Sequence, residues 1–276
     1  MAPAEENFRY TSAPERRERL VQFIADQGYC TIAELSRAFS VSEMTIRRDV
    51  LRLVEQRKVR GFRGGVGSVT RQDLQGSDYT FRDTAMADAK RAIATRAIDM
   101  VPAASVVALD AGTTMNQVAR LLPPDRGVQV VTNSFSVVSS LVGNTGVEVV
   151  CLGGNLHPET LSFDGPATLS AISSLQVETL FLAASGLSDR GAFCGNGFDA
   201  ITKRALIEVA ERVVMLADSS KFASSAMVKI CGWDVIDQIV IDEGISEEDE
   251  RMLEQHEVLV VKVPAAADAP VESVPS

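Results

Sequence analysis

Apolar residues recur at helical spacing in the first quarter of the chain and in short unbroken runs over most of the remainder. Residues 14–27 read as a helix, with Pro14 near its start, Leu20 and Ile24 on one face, and Gly28 where a left-handed cap would end it. Thr31-Ile32-Ala33-Glu34 has the form of a capping box, with Thr31 as N-cap and Glu34 reaching back; the helix it opens runs to about Phe39. Ser42 caps a third helix that continues to about Gln56, and the tight Ser40-Val41 connection completes a helix-turn-helix layout. Val59-Arg60-Gly61-Phe62 and Val66-Gly67-Ser68-Val69 then suit two short strands turned by Arg63-Gly64-Gly65, a wing. Residues 14–71 therefore form a winged helix-turn-helix, and the mixed, polar residues 72–88 read as a linker.

From residue 89 to residue 263 the rhythm is an apolar run, a small polar loop and a helical pattern, repeated. The runs include 105–109, 128–131, 147–152, 179–184, 213–217, 238–241 and 258–263; most are β-branched and non-alternating, as strands covered on both faces should be. Helical segments between them, such as 115–122, 134–141, 200–210 and 246–256, imply an α/β domain with a Rossmann-like, largely parallel sheet. The Pro-, Ala- and Asp-rich stretch 264–276 reads as a disordered tail.

Charge sharpens this division. The chain of 276 residues has a formal net charge of −10. Residues 14–71 carry 12 Lys and Arg against 7 Asp and Glu, a net of +5, whereas residues 72–276 carry 14 against 28, a net of −14. A basic block beside an acidic remainder suits a DNA-binding module on a soluble effector domain. On the third helix, Ile46, Val50 and Leu53 share an inward side, opposite Thr45, Arg48 and Arg52, with Met44 and Leu51 at the edge and Arg47 on the flank. Such a helix fits the major groove: Arg48 suits a guanine, Thr45 a base edge or phosphate, and Arg47 the backbone. Arg60 and Arg63 extend the positive surface over the wing. A solvated arginine face is the plainer reading of the helix by itself.

Ser42-Glu43-Met44-Thr45-Ile46-Arg47-Arg48-Asp49-Val50, with Leu53 and the Gly64-Gly65 turn, resembles the DeoR family of bacterial repressors, whose signature is V-S-x-x-T-I-R-R-D-L followed by a basic wing ending in H-G-G. Here Val50 stands for the usual Leu and Arg63 for the usual His.

The strand ends carry the second signal. The run 105–109 leads into Asp110-Ala111-Gly112-Thr113-Thr114 and a helix, a turn whose backbone N–H groups and helix N-terminus favour an anion. The same residues also suit a simple strand-to-helix turn with Thr as the cap. Thr132-Asn133, Gly153-Gly154 and Asp218-Ser219-Ser220-Lys221 end other runs, so small polar groups converge on the edge where open α/β sheets bind ligands. Lys203, at the start of a helix, and Lys221 are the candidates to neutralise a phosphate. The set Arg82, Lys90, D-x-G-T-T, T-N, G-G and D-x-S-K is similar to the DeoR-family sensor domain. That resemblance implies a fold related to ribose-5-phosphate isomerase and glucosamine-6-phosphate deaminase, and a phosphorylated sugar or related metabolite as effector. The family often has a Glu-Ala pair before the lysine matching Lys203, where this chain has Asp199-Ala200.

The expected partners are thus a double-stranded DNA operator, a phosphorylated sugar and further copies of the chain, in the cytoplasm and without a membrane. Cys30, Cys151, Cys194 and Cys231 are far apart and read as reduced thiols. No metal-ligand cluster, P-loop or G-x-S-x-G is present, so no cofactor is expected. The rival is a phosphosugar isomerase or deaminase with a DNA-binding appendage, for which Asp110, Asp199 or Asp218 would serve as base.

Overall fold

A computed structural model describes residues 13–27, 29–56, 58–62, 65–68, 79–224 and 226–264. The chain divides into two compact units, Met1–Leu74 and Gln75–Ser276. The expected Gly28 cap, the Arg63-Gly64 part of the wing turn and the tail beyond residue 264 lie outside the described residues.

The first unit packs α1 (Ala13–Gln27), β1 (Tyr29–Thr31), α2 (Ile32–Ala38), α3 (Glu43–Glu55), β2 (Val59–Phe62) and β3 (Gly65–Ser68). The capping box is present: Thr31 N donates to Glu34 Oε2 at 2.8 Å and Glu34 N to Thr31 Oγ1 at 3.2 Å. Ser42 Oγ accepts from Thr45 N at 3.2 Å and starts α3. Leu20, Ile24, Leu35, Ile46, Leu53 and Val66 form the core of this unit. The wing strands β2 and β3 pair antiparallel, and β1, which the sequence pattern does not reveal, adds a third strand through Tyr29–Gly67, Cys30–Val66 and Thr31–Gly65.

The second unit begins with α4 (Tyr79–Thr84) and α5 (Ala87–Asp99). This corrects the expected linker 72–88, because residues 79–84 are helical and anchored on the second unit. Tyr79 is buried, and its N–H donates to Glu159 O at 3.0 Å. One helical turn carrying a single buried aromatic has too little apolar periodicity to be recognised in sequence.

Seven strands follow in a wholly parallel sheet: β4 (Val106–Leu109), β5 (Gln129–Thr132), β6 (Glu148–Cys151), β9 (Val177–Leu182), β12 (Ala210–Leu216), β14 (Gln238–Asp242) and β15 (Leu259–Val263). Their order is β15-β14-β12-β9-β4-β5-β6. Successive residues of β9 feed opposite faces, Leu180 and Leu182 into one apolar layer and Phe181 into the other. Helices α5, α6 (Thr113–Leu121), α7 (Phe135–Leu141), α8 (Pro166–Ile172), α9 (Gly197–Glu208) and α10 (Glu247–Gln255) complete the doubly covered fold. Two antiparallel additions are a hairpin of β7 (Asn155–His157) and β8 (Ser162–Asp164), and a small sheet β10-β11-β13 of Gly186–Ser188, Gly191–Cys194 and Val228–Cys231. Among the described residues no helix is long and apolar enough to cross a membrane.

From β4 the chain runs outward one way through β5 and β6, while β9, β12, β14 and β15 lie on the other side. Strand order therefore reverses between β4 and β9. In open parallel sheets ligands bind at such a reversal, outside the C-terminal ends of the strands.

Candidate functional site

On α3 the buried positions are Ile46, Asp49, Val50 and Leu53. Asp49 is only 1% exposed and accepts from Arg16 Nε at 2.7 Å and Arg17 Nη1 at 3.4 Å. Sequence reasoning missed this tie between α1 and α3, because its partners lie more than 30 residues away. Its burial also turns the inward arc of α3 toward Thr45. The structure thus corrects the expected outward line: Thr45 is half-buried, with its hydroxyl against Ser42 Oγ at 2.9 Å, whereas Met44 and Leu51 are 76% and 62% exposed. At about 100° per residue, Met44, Arg48 and Leu51 form the line farthest from the core. Arg48 within that line and Arg52 beside it are exposed, and Arg47 pairs with Glu43 at 3.5 Å. Arg60 lies in β2, and Arg63 lies outside the described residues.

At the reversal point of the large sheet, Asp110 leaves β4 fully buried. Its Oδ2 accepts from Ala183 N at 3.0 Å, at the end of β9, and from Lys203 Nζ. Lys203 also lies 3.3 Å from Asp199 Oδ1, one turn earlier on α9, whose N-terminus Asn196 caps. Lys203 was expected at a helix start, as a cation for phosphate. The structure puts it within α9, 2% exposed and enclosed by two carboxylates. Burial opposes its charge, but Asp110 and Asp199 outweigh burial and hold the ammonium above its usual range. Burial pushes the Asp110 carboxyl up despite the opposing pull of Lys203. The same neighbourhood pushes Cys194 up to about 12, through burial and then the charge of Asp199.

Gly112 precedes α6 with φ 155°, where a Cβ would sit 3.3 Å from Ala183 Cβ, so the turn can close against β9 only with glycine. Thr113 and Thr114 begin α6 and are buried. Thr113 Oγ1 donates to Arg82 O at 3.3 Å, at the end of α4. Lys90 Nζ donates to the same carbonyl and to Ala85 O, at 2.6 Å. Burial and then the charge of Lys221 bring Lys90 down to about 8. Lys221 lies 3.6 Å from the buried Asp218, so Lys90, Lys221 and Asp218 share one electrostatic neighbourhood.

Thr132 is fully occupied within the frame: its hydroxyl donates to Leu109 O at 2.6 Å and accepts from Ser134 N at 3.0 Å. It braces β5 against β4, which leaves no free hydroxyl for a ligand and corrects that expectation. Asn133 holds the β7–β8 hairpin, its Nδ2 donating to Phe163 O at 3.1 Å and its carbonyl accepting from Phe163 N at 2.7 Å. Gly153 O accepts from Thr168 Oγ1 at 2.6 Å, and a Cβ on Gly154 would stand 2.4 Å from Asp164 O. This pair therefore seats the hairpin and α8 rather than opening a second anion loop. His157 stacks on Phe198 with ring centroids 3.7 Å apart, joining the hairpin to the start of α9. The hairpin was not visible in the sequence because each of its strands is three residues long and carries a single apolar residue, Leu156 or Phe163.

Three buried oxygens at the ends of β4, β5 and β12 make no hydrogen bond among the described residues: Asp110 Oδ1, Asn133 Oδ1 and Asp218 Oδ2. Such atoms ordinarily find a donor, and here all three stand at the C-terminal edge of the sheet.

Residues 85–243 match the family described as DeoR C terminal sensor domain, and residues 16–72 the DeoR-like helix-turn-helix domain. The chain is 34% identical to a putative aga operon transcriptional repressor of Escherichia coli O157:H7, over 92% of this chain and 96% of that protein. It is 31% identical to an L-fucose operon activator of Haemophilus influenzae, over 89% of this chain and 98% of that protein. Among solved structures it is similar to ribose 5-phosphate isomerase A of Methanocaldococcus jannaschii, with 19% identity, a TM-score of 0.35 and coverage of 48% and 52% of the two chains. The capped helix-turn-helix with its wing, the parallel-sheet domain that follows it in sequence, the two family matches and the likeness to the aga operon repressor make one assignment: the chain belongs to the DeoR family of DNA-binding transcription regulators.

Proposed function

We propose that the chain represses a carbohydrate-use operon as a cytoplasmic homo-oligomer and leaves its operator when a phosphorylated sugar binds at the C-terminal edge of the seven-stranded sheet. The observation that carries the effector reading is the set of buried acceptors Asp110 Oδ1, Asn133 Oδ1 and Asp218 Oδ2, which accept no hydrogen bond among the described residues, with the Lys221 ammonium 3.6 Å from Asp218 Oδ2. Sugar hydroxyls are donors of the right kind for them. The phosphate belongs at the N-terminus of α6 with Thr113 and Thr114, where Lys90 and Lys221 supply positive charge. Lys203 serves as the buried brace of Asp110 rather than as the phosphate's counter-ion.

The same geometry supports a switch. Helix α4 is the first described element after the DNA-binding unit, and its C-terminal carbonyls are held by Lys90 and by the Thr113 hydroxyl. A phosphate that draws Thr113 and Lys90 to itself weakens those ties and biases α4 toward a second position. The coupling equals the difference in effector affinity between the two positions. Asp110 and Asp199 both spend their charge on Lys203, which favours a binding site over one that abstracts protons, and the relatives are named as regulators. A thermal-shift screen of the full chain against sugar phosphates and their unphosphorylated parents tests the reading. Stabilisation by one phosphorylated series supports it, and indifference to the whole panel contradicts it.

A further inference from the structure

An apolar side chain stands on the solvent-facing line of α3. Met44 is 76% exposed and Leu51 62%, among the most exposed large apolar residues described. With Arg48 they follow one line, four and then three residues apart, opposite Ile46, Val50 and Leu53. The rise from Met44 to Leu51 is about 10 Å, roughly three base-pair steps of ~3.4 Å. Exposed Arg48 stands between the two apolar residues, exposed Arg47 and Arg52 border the line, and the Glu43 carboxylate beside it is paired with Arg47. An apolar line edged by arginines complements a surface with apolar groups set among phosphates. The major groove of DNA offers that combination at each thymine, whose 5-methyl group is its one apolar feature.

We propose that Met44 is a sequence-reading residue of this regulator and that it contacts the 5-methyl group of a thymine in the operator. The proposal rests on the DNA-binding function of α3 and adds to it a residue and the base that residue selects. Met44 is the second residue of α3, and the N-terminal part of a recognition helix is the part that reaches base edges. Its unbranched thioether adapts to the methyl without a fixed rotamer. Arg48, one turn further on, takes the guanine-type contact, so the pair reads two nearby positions by different chemistry.

The test removes one methyl group from the DNA. Full-length protein first selects its preferred site from a pool of randomised duplexes. Each thymine of that site is then replaced singly by deoxyuridine, and affinities are measured for the wild type, Met44→Ala and Met44→Gln. The wild type should lose about three- to fivefold at one thymine per half-site, the weight of one buried methyl-sized group. Both variants should be indifferent to uracil there, and an unfolding temperature equal to that of the wild type checks that they fold, since Met44 is exposed. Uracil tolerated by the wild type at every position overturns the proposal, as does an equal uracil penalty in Met44→Ala. A change of oligomeric state in Met44→Gln with an unchanged uracil profile assigns the stripe to a contact between copies and overturns it too. A wild-type chain that selects no sequence at all contradicts the DNA-reading function itself, a failure distinct from the others.

Discussion

Lys203 and Asp110, 93 residues apart in sequence, meet in the interior of the sensor domain, where the Lys203 ammonium donates to Asp110 Oδ2 while the other carboxylate oxygen is left without a hydrogen bond. Removing the lysine leaves Asp110 and Asp199 facing each other without a counter-charge. Lys203→Met should therefore lower unfolding free energy by about 3–5 kcal/mol, the usual effect of breaking a buried pair on one side. Urea unfolding checks this. A phosphate-contact role without a bracing role would leave stability near wild type and change effector affinity alone.

Asp49 gives the corresponding test in the DNA-binding unit. Its carboxylate accepts from Arg16 and Arg17, two charge-assisted bonds between α1 and α3. Asp49→Ala should cost about 2–4 kcal/mol in that unit's unfolding, since bonds to charged groups contribute ~1.5–3 kcal/mol each and the arginines regain water. It should weaken operator and random-sequence DNA binding together, because the tilt of α3 is lost rather than a base contact. A mobility-shift series with both duplexes reads the difference.

Lys90 sets a pH dependence. Its pKa falls from 10.5 to about 8, through burial and then the charge of Lys221, so folding favours the neutral amine. That contribution is fully present above pH 10.5 and is lost as the pH falls through about 8. A bound phosphate reverses the preference by raising the pKa of Lys90. Binding a sugar phosphate near pH 8 should take up a proton, and affinity should fall as the pH rises through that value. Phosphate's own second ionisation, near ~6, lies below this window. Calorimetry in buffers of different ionisation enthalpy measures the uptake, and Lys90→Met should abolish it.

Gly154 tests how the site's hairpin is held. With φ 113° and a Cβ position 2.4 Å from Asp164 O, Gly154→Ala has to displace β8. The strained backbone costs about 1–3 kcal/mol. The hairpin carries His157 and its stack on Phe198, so faster hydrogen exchange should concentrate at 155–164 and at the start of α9.

Much of this architecture was legible because its causes are local. The Thr31–Glu34 box and the Ser42 cap each act over three residues, and β-branched runs such as Val130-Val131 and Val213-Val214 announce strands buried on both faces. What escaped depends on distant partners. Strand β1 is three residues long and exists through its pairing with β3. Asp49 looks like any helical surface acid until α1 brings Arg16 to it, and its burial then moves Met44 to the middle of the exposed face. Lys203 reads in sequence as a cation for phosphate because Asp110, its buried partner, is 93 residues away. Asp110, Gly112 and Lys221 were legible as loop chemistry at strand ends; Thr132 was visible in the same way, yet its hydroxyl is consumed between Leu109 O and Ser134 N.

A phosphorylated sugar bound at the strand ends is expected to drive release of DNA, and a titration of operator-bound full-length protein measures that coupling. Fluorescence anisotropy of a labelled operator would follow release by matched phosphorylated and free sugars, for wild type and Lys221→Ala. Losing the phosphate from the ligand removes more than one charge-assisted bond of ~1.5–3 kcal/mol, so the free sugar should be at least about a hundredfold weaker. Lys221→Ala should bind operator normally and need far more phosphorylated sugar to release it. Equal potency of the two sugar forms, or a Lys221→Ala release curve superimposed on that of the wild type, would contradict the account.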